Sequence, residues 1–541
     1  MNAFLLYPNQ EWSYPERYFD EKSIIQDLGL KTVFLAAAKE IMKEDGKVKL
    51  IQDADPALED AMKKVMMVPL KTGEEIYYRQ EILRDCLEQE GFIRKLYDLS
   101  AQILCDWDKL GRKAGQKSGA GTPRTLVTQI HVLRLFVKGL SKLKALFEEY
   151  EESLISKGLR AFGQRLREEY SDEMEAALRK ILADVEFYAN EKEHTEPGNS
   201  RIVNKARIVV GCGVKEGLKL GDLRLEEVKT GTKRYRDPNA GLLGRAQEML
   251  GSRMKNSVCI QRETALCAQA EQLEYEVARY LVSSCRPFFD AFFEFFDQLH
   301  FQVSFYRGAL NLKGYMERFH LPVCYPTVGD GKRLCFQDLK EFVMSIEQKI
   351  EPVGNTCDIV GKKLLIVTGA NQGGKSTFLR SIGIGQIMLQ CGLNVAAKSF
   401  ESGIYPSFFT HFTRREDSAM NSGRLDEELG RMSQIVDNLE PGAMVLLNES
   451  FASTTEKEGS VAAYDIVKAL TEAGVMILTV THLLSFAQKM YREAEEGDCS
   501  DIEFLSAQRM EGGRRTFKMI EHAPEFTSFG LDLYDEIIGN A

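Results

Sequence analysis

Eight residues, Gly369-Ala-Asn-Gln-Gly-Gly374-Lys375-Ser376, place glycines, a lysine and a hydroxyl at the spacing of a phosphate-binding loop. Gly369, Gly373 and Gly374 would let successive backbone N–H groups curl around phosphates, and a helix N-terminus would add its positive end. Lys375 would reach the β/γ oxygens, and the Ser376 hydroxyl would ligate Mg²⁺. The chemistry predicted is the binding of a nucleoside triphosphate.

Such a loop works only between a strand and a helix. The run before it, Leu364–Thr368, is short, apolar and β-branched, and the run after it, Thr377–Leu389, has apolar residues at helical spacing. Further on, residues 394–398 and 404–413 read as strands. A helix then carries Leu425, Leu429, Met432, Ile435, Val436 and Leu439 and stops at Pro441-Gly442. Ala443–Leu447 reads as a buried strand running into Asn448-Glu449, and Gly474–Thr481 as another that stops at His482. Strands alternating with helices predict a parallel α/β sheet, with its chemistry gathered at strand C-termini.

The phosphate loop, Asn448-Glu-Ser-Phe-Ala-Ser-Thr-Thr-Glu456 and Thr481-His482, in this order and spacing, resemble the ATPase domain of the MutS family of DNA mismatch-recognition proteins. Ser422-Gly423-Arg424 resembles the family's signature loop, and residues 528–539 its closing Ser-Tyr-Gly element. The resemblance covers residues 345–541. It implies that Asn371, Gly374, Lys375, Ser376 and Thr377 hold phosphates and metal, that Glu449 polarises the attacking water, and that His482 contacts the γ-phosphate or its water. It also implies ATP and Mg²⁺ as cofactors and a homodimer in which Ser422, Gly423 and Arg424 complete the partner's site. One position departs: where the family carries Asp before the catalytic Glu, this chain has Asn448, whose amide oxygen can face a magnesium shell but brings no charge. An active ATPase is expected, with slow hydrolysis or a nucleotide-gated clamp as the alternative.

The region before residue 346 is mostly helical in pattern. Residues 72–87 cluster apolar residues on one face and resemble the MutS core domain, and long helices are expected over 125–157, 164–190 and 259–298. Between them, residues 206–211 and 223–228 read as strands, followed by a basic stretch with Lys233, Arg234, Tyr235, Arg236 and Arg245. Those cations would neutralise DNA phosphates and Tyr235 could stack on sugar or base; a solvated basic loop is the other reading. The expected architecture is therefore a multidomain chain. A mostly α-helical core/lever region (core 1–120, lever arm 121–200, clamp insertion 201–256, returning helices 257–345) leads into an α/β P-loop, ABC-type ATPase domain at 346–541. The family's mismatch-reading N-terminal domain is expected to be absent. The Phe-x-Glu spellings Phe147–Glu149 and Phe292–Glu294 fall in helical patterns, and the aromatic run Pro287–Phe296 reads as buried core.

Composition narrows the classes. A chain of 541 residues is too long for a single core, and no apolar stretch of membrane-spanning length occurs. Eleven cysteines without a C-x-x-C pair suit reduced thiols in the cytoplasm rather than a zinc site or disulfide framework. A formal net charge of −10 argues against wholesale coating of nucleic acid but leaves room for a local basic stripe. Three functions fit: an ATP-gated homodimeric clamp on DNA for mismatch repair or recombination, a nucleotide switch or scaffold with little hydrolysis, and an ABC-type ATPase acting on protein partners.

Overall fold

A computed structural model describes residues 2–8, 20–44, 47–50, 53–115, 123–186, 206–215, 219–230, 264–331, 333–414, 424–497, 501–510 and 514–524. The chain forms two compact units: residues 98–149 with 163–299, and residues 2–97, 150–162 and 300–541. It is multidomain, with helices throughout and an α/β sheet towards the C-terminus. No helix among the described residues is long and apolar enough to cross a membrane.

Among its described residues the first unit is helical, with an antiparallel hairpin, Ala206–Lys215 paired to Lys219–Thr230, at the expected strands. Its core is aromatic. Phe292 meets Phe136 and Phe296 edge-on, with centroids 4.6 and 4.8 Å apart, and Trp107 packs on Phe292 and Phe293. Phe289, Phe292, Phe295 and Phe296 are buried as the sequence suggests, while Phe293 lies at the surface. Phe147 and Phe292 are both buried within helices. One further Phe-x-Glu spelling, Phe19-Asp20-Glu21, precedes the first helix, and its Phe19 lies outside the described residues.

Three helix expectations need correction. The helix expected over 125–157 ends at Glu149, because the buried Asp85 carboxylate accepts the backbone N–H groups of Ile155 (2.9 Å) and Ser156 (2.7 Å) and fixes a turn there. A new helix, Lys157–Glu169, starts from that turn. The helix expected over 164–190 breaks at Tyr170–Ser171, where the Ser171 hydroxyl accepts the Met174 N–H and caps a separate helix, Asp172–Glu186. The third is longer than expected: Thr264–Arg318 is one helix.

In the second unit, six strands form a sheet in the order Phe408–Phe412, Met444–Asn448, Met476–Val480, Leu364–Thr368, Ile502–Arg509, Arg515–Glu521. The first five are parallel and the last is antiparallel. The residues of the first four are nearly all buried, as expected of apolar runs covered on both faces, while the edge strand Arg515–Glu521 buries only Met519. Helix Lys375–Gln390 lies on one face, and helices Glu456–Glu472 and Leu484–Glu495 pack together over strands of the sheet. Helix Glu21–Leu28 packs on strand Phe408–Phe412, so the N-terminal region shares this unit's core.

Residues 394–398 do not form the expected strand. Val395 makes a single bridge to Cys324, the chain bends, and the strand begins at Ser399. Ser399–Ser402 joins a separate four-stranded sheet with Thr327–Val328, Arg333–Leu339 and Asn355–Val360 rather than the parallel one. The strand expected over 404–413 occupies only Phe408–Phe412.

Candidate nucleotide site

Register alone assembles the site. Asn448 pairs with Val480, and Val480 pairs with Val367, so three neighbouring parallel strands end level with one another. Beyond those ends lie the Asn448-Glu449 corner, Thr481-His482 and the glycine loop, at the carboxyl edge where α/β sheets bind ligands.

The loop turns from strand Leu364–Thr368 into helix Lys375–Gln390 through Gly374, whose φ of 91° is open to glycine and strained for other residues. Asn371 and Gln372 are exposed, Gly373 is buried, and Ser376 and Thr377 are half-buried. Lys375 is buried, and its Nζ donates to the loop carbonyls of Gly369 (2.8 Å) and Ala370 (2.9 Å). Burial pulls its pKa down to about 8, opposed by the nearby Glu449 carboxylate.

Two side-chain pairs complete the arrangement. The Ser376 hydroxyl donates to Asn448 Oδ1 at 2.8 Å. His482 Nε2 donates to Glu449 Oε1 at 3.0 Å, and this bond holds the Glu449 carboxyl below its ordinary range, helped by the Lys375 charge. Glu449 is therefore ionised at neutral pH and hydrogen-bonded to a side chain from the adjacent strand. Residues 371–377 of the phosphate loop, including Ser376, and the carboxylate–imidazole pair line one cavity of about 460 Å³, and Asn448 stands behind Ser376 through their hydrogen bond.

That cavity has an apolar wall which the motifs do not announce: Met344, Ile350, Pro352, Val353 and Phe517. Phe517 sits over Gly374 with φ 59°, where a Cβ on Gly374 would come 3.4 Å from its ring. Asn355 fixes it there, its amide donating to the Phe517 carbonyl (3.2 Å) and accepting from the Met519 N–H (2.8 Å). Arg515 donates to Gln372 Oε1 at 2.9 Å from the same edge strand. Nothing in the local pattern of residues 350–355 or 515–517 signals a site, since the partners are over 100 residues apart.

Ser422 and Gly423 lie outside the described residues, and Arg424 opens helix Arg424–Asp437. Lys233, Arg234, Tyr235, Arg236, Arg245 and the closing element at 528–539 also lie outside them.

Two family models match the chain: the MutS2 N-terminal domain over residues 71–190 and MutS domain V over residues 365–535. The second spans the phosphate loop, Asn448, Glu449 and His482. Among curated proteins, the chain is 32% identical to the MutS protein homolog 4 of Mus musculus, over 29% of this chain and 17% of that protein. It is 23% identical to the DNA mismatch repair protein MutS of Acaryochloris marina, over 79% of this chain and 50% of that one. It is 31% identical to the Endonuclease MutS2 of Anaeromyxobacter sp., over 25% of this chain and 18% of that one. The chain thus spans half or less of each relative's length. With one family model on the helical region, a second on the sheet that carries the phosphate loop, and the longest alignment running across both, the chain belongs to the MutS-like family.

Proposed function

We propose that this chain is a DNA-binding ATPase in which ATP, held with Mg²⁺ at the cavity above the parallel strands, gates a homodimeric clamp on DNA in mismatch repair or recombination. The observation that carries the reading is the level ending of three strands, with Lys375, Ser376 and the Glu449–His482 pair around one cavity and Asn448 hydrogen-bonded to Ser376. The domain limits proposed are those stated from the sequence, with 346–541 as the ATPase domain and 201–256 as the clamp.

The residues suit a magnesium nucleotide. A buried lysine whose hydrogen bonds go to loop carbonyls is poised to exchange them for phosphate oxygens. Ser376 Oγ and Asn448 Oδ1, 2.8 Å apart, are two hard oxygen donors of the kind that hold Mg²⁺ directly or through its waters. The ion's chemistry when bound is to neutralise charge on the phosphate oxygens. Glu449 is ionised and can accept a proton from water, while His482 fixes its orientation. The apolar wall with Phe517 suits the flat face of a base.

DNA engagement in this reading runs through hairpin Ala206–Thr230 and the basic stretch after it, not through a Phe-x-Glu wedge at Phe147 or Phe292, which are buried. Ser422, Gly423 and Arg424 would complete the site of the second copy. A second reading, a nucleotide switch with little hydrolysis, draws on Asn448: a neutral amide binds Mg²⁺ less tightly than a carboxylate. The deciding experiment is ATP turnover with duplex, mismatched and branched DNA, with Lys375→Ala as the blank. DNA-stimulated turnover above the blank supports the clamp ATPase. Lys375-dependent nucleotide binding with no turnover supports the switch, and loss of neither on Lys375→Ala refutes both.

A further inference from the structure

Immediately after strand Met444–Asn448, two non-glycine residues adopt left-handed backbone conformations, Glu449 at φ 56° and Phe451 at φ 65°. Such a turn persists only where its surroundings over-determine it. Here they do. The Glu449 N–H donates to the Val480 carbonyl at 2.8 Å, and its own carbonyl accepts the Thr413 hydroxyl at 2.6 Å. The Phe451 N–H donates to Glu428 Oε2 at 2.9 Å, and on the far side Gly459 comes so close that a Cβ would lie 2.4 Å from the Phe451 carbonyl oxygen.

His411 closes the arrangement. It is fully buried and its ring stacks on Phe451, with centroids 5.8 Å apart. Its Nε2 faces the Glu428 carbonyl at 3.1 Å and donates there, and the single hydrogen of the Ser450 hydroxyl is shared between His411 Nδ1 (2.7 Å) and the His411 carbonyl (2.8 Å). Glu428, His411 and Ser450 are all buried. A carboxylate taken out of water, with the Arg431 charge nearby and the Phe451 N–H as its hydrogen-bond donor among the described residues, demands a reason. The turn it holds is the one that carries Glu449.

Building on the hydrolytic reading above, we propose that Glu428, braced by His411, is a positioning residue for ATP hydrolysis: it holds the strained Glu449–Phe451 turn so that the Glu449 carboxylate stays against His482 and the cavity. Glu428 lies four residues into helix Arg424–Asp437, directly after the signature segment. The placement of that helix therefore sets the aim of Glu449, and whatever shifts the helix shifts the carboxylate.

The test uses the full chain and measures steady-state turnover beside the affinity for a fluorescent ATP analogue. Glu428→Ala is expected to lower kcat by about ten- to a hundredfold, the effect of small misplacements of a catalytic group, with nucleotide affinity within about twofold. Glu428→Gln, whose amide oxygen can still accept the Phe451 N–H, is expected to restore most of the rate. Because emptying a buried site can unfold a protein, Thr413→Val tests the same turn from the exposed side, removing the hydroxyl that lies 2.6 Å from the Glu449 carbonyl and 3.3 Å from that of Asn448. Lost kcat with retained affinity in Glu428→Ala or Thr413→Val, and rescue in Glu428→Gln, support the role. Folded variants that turn over like the parent, or that lose affinity and melting temperature in step with kcat, overturn it. A parent chain that binds nucleotide through Lys375 yet shows no turnover overturns the hydrolytic reading, and the positioning role falls with it.

Discussion

Lys375 offers the sharpest quantitative test, because in the proposed reading its charge does the binding and its burial threatens that charge. Desolvation pulls its pKa to about 8, and the Glu449 carboxylate is the group that pulls back. An ammonium against several phosphate oxygens has its pKa raised again, so a nucleotide must bind the protonated form, and affinity should follow the protonated fraction. With a value of about 8, that fraction is about three-quarters at about pH 7.5 and about 0.03 at about pH 9.5. Affinity should therefore fall about 25-fold across that window, or about 1.9 kcal/mol. Proton uptake on binding should approach about one per nucleotide near pH 9.5. Isothermal titration with a non-hydrolysable ATP analogue, in two buffers of different ionisation enthalpy, reads both quantities. The window lies above the titration of the terminal phosphate, so the lysine dominates it. Glu449→Gln removes the charge that supports Lys375 and should move the affinity curve to lower pH. An affinity flat from pH 7.5 to 9.5 with no proton uptake would falsify the argument, since the lysine would then be charged in the free site throughout.

Three other outcomes follow from the same geometry. Asn448→Asp should lower the Mg²⁺ concentration needed for half-maximal turnover by about tenfold, the order expected of one added charge near a divalent ion at high effective dielectric; an unchanged Mg²⁺ requirement would mean that residue 448 does not face the metal. His411 is driven by burial, and next by Arg431, from 6.5 down to about 4, so the folded state disfavours its protonation. Its contribution is present above about pH 6.5 and is lost as pH falls towards about 4, about 3 kcal/mol in all. Urea unfolding of His411→Gln against the parent should show that difference shrinking between those pH values, and identical acid sensitivity in both would sink it. Asp85→Ala strands the buried Ser156 N–H and the part-buried Ile155 N–H and should destabilise the chain by about 1–3 kcal/mol, with Asp85→Asn milder; a urea midpoint within error of the parent would show that water reaches the turn.

The parts of the site that were legible in the sequence are those whose chemistry is local. Strand, glycine loop and helix occupy consecutive residues, and the apolar runs before Asn448 and His482 had no reading but buried parallel strands, so placing those residues at the sheet's carboxyl edge needed no tertiary knowledge. The errors came where a distant group decides. Residues 394–398 are as apolar as a strand, yet only Val395 finds a bridge, and the pairing edge begins at Ser399. The helix at 125–157 is cut by a carboxylate from residue 85, which no window of local periodicity contains.

The same distinction explains why His411 and Glu428 went unread while Glu449 did not. Glu449 comes directly after an apolar strand and so stands out as a charge where the buried run stops. His411 lies inside a strand whose neighbours Phe409, Thr410 and Phe412 are all buried, where an imidazole passes for one more core residue. Glu428 sits among Asp426 and Glu427 at the start of a helix, where acids are expected for their effect on the helix dipole and draw no notice. Only burial separates it from them: Asp426 and Glu427 remain accessible, while Glu428 turns inward to the Phe451 N–H. A residue whose task is to hold another in a strained turn must match its surroundings in composition and differ from them in partner. That difference belongs to the fold, and a sequence pattern cannot display it.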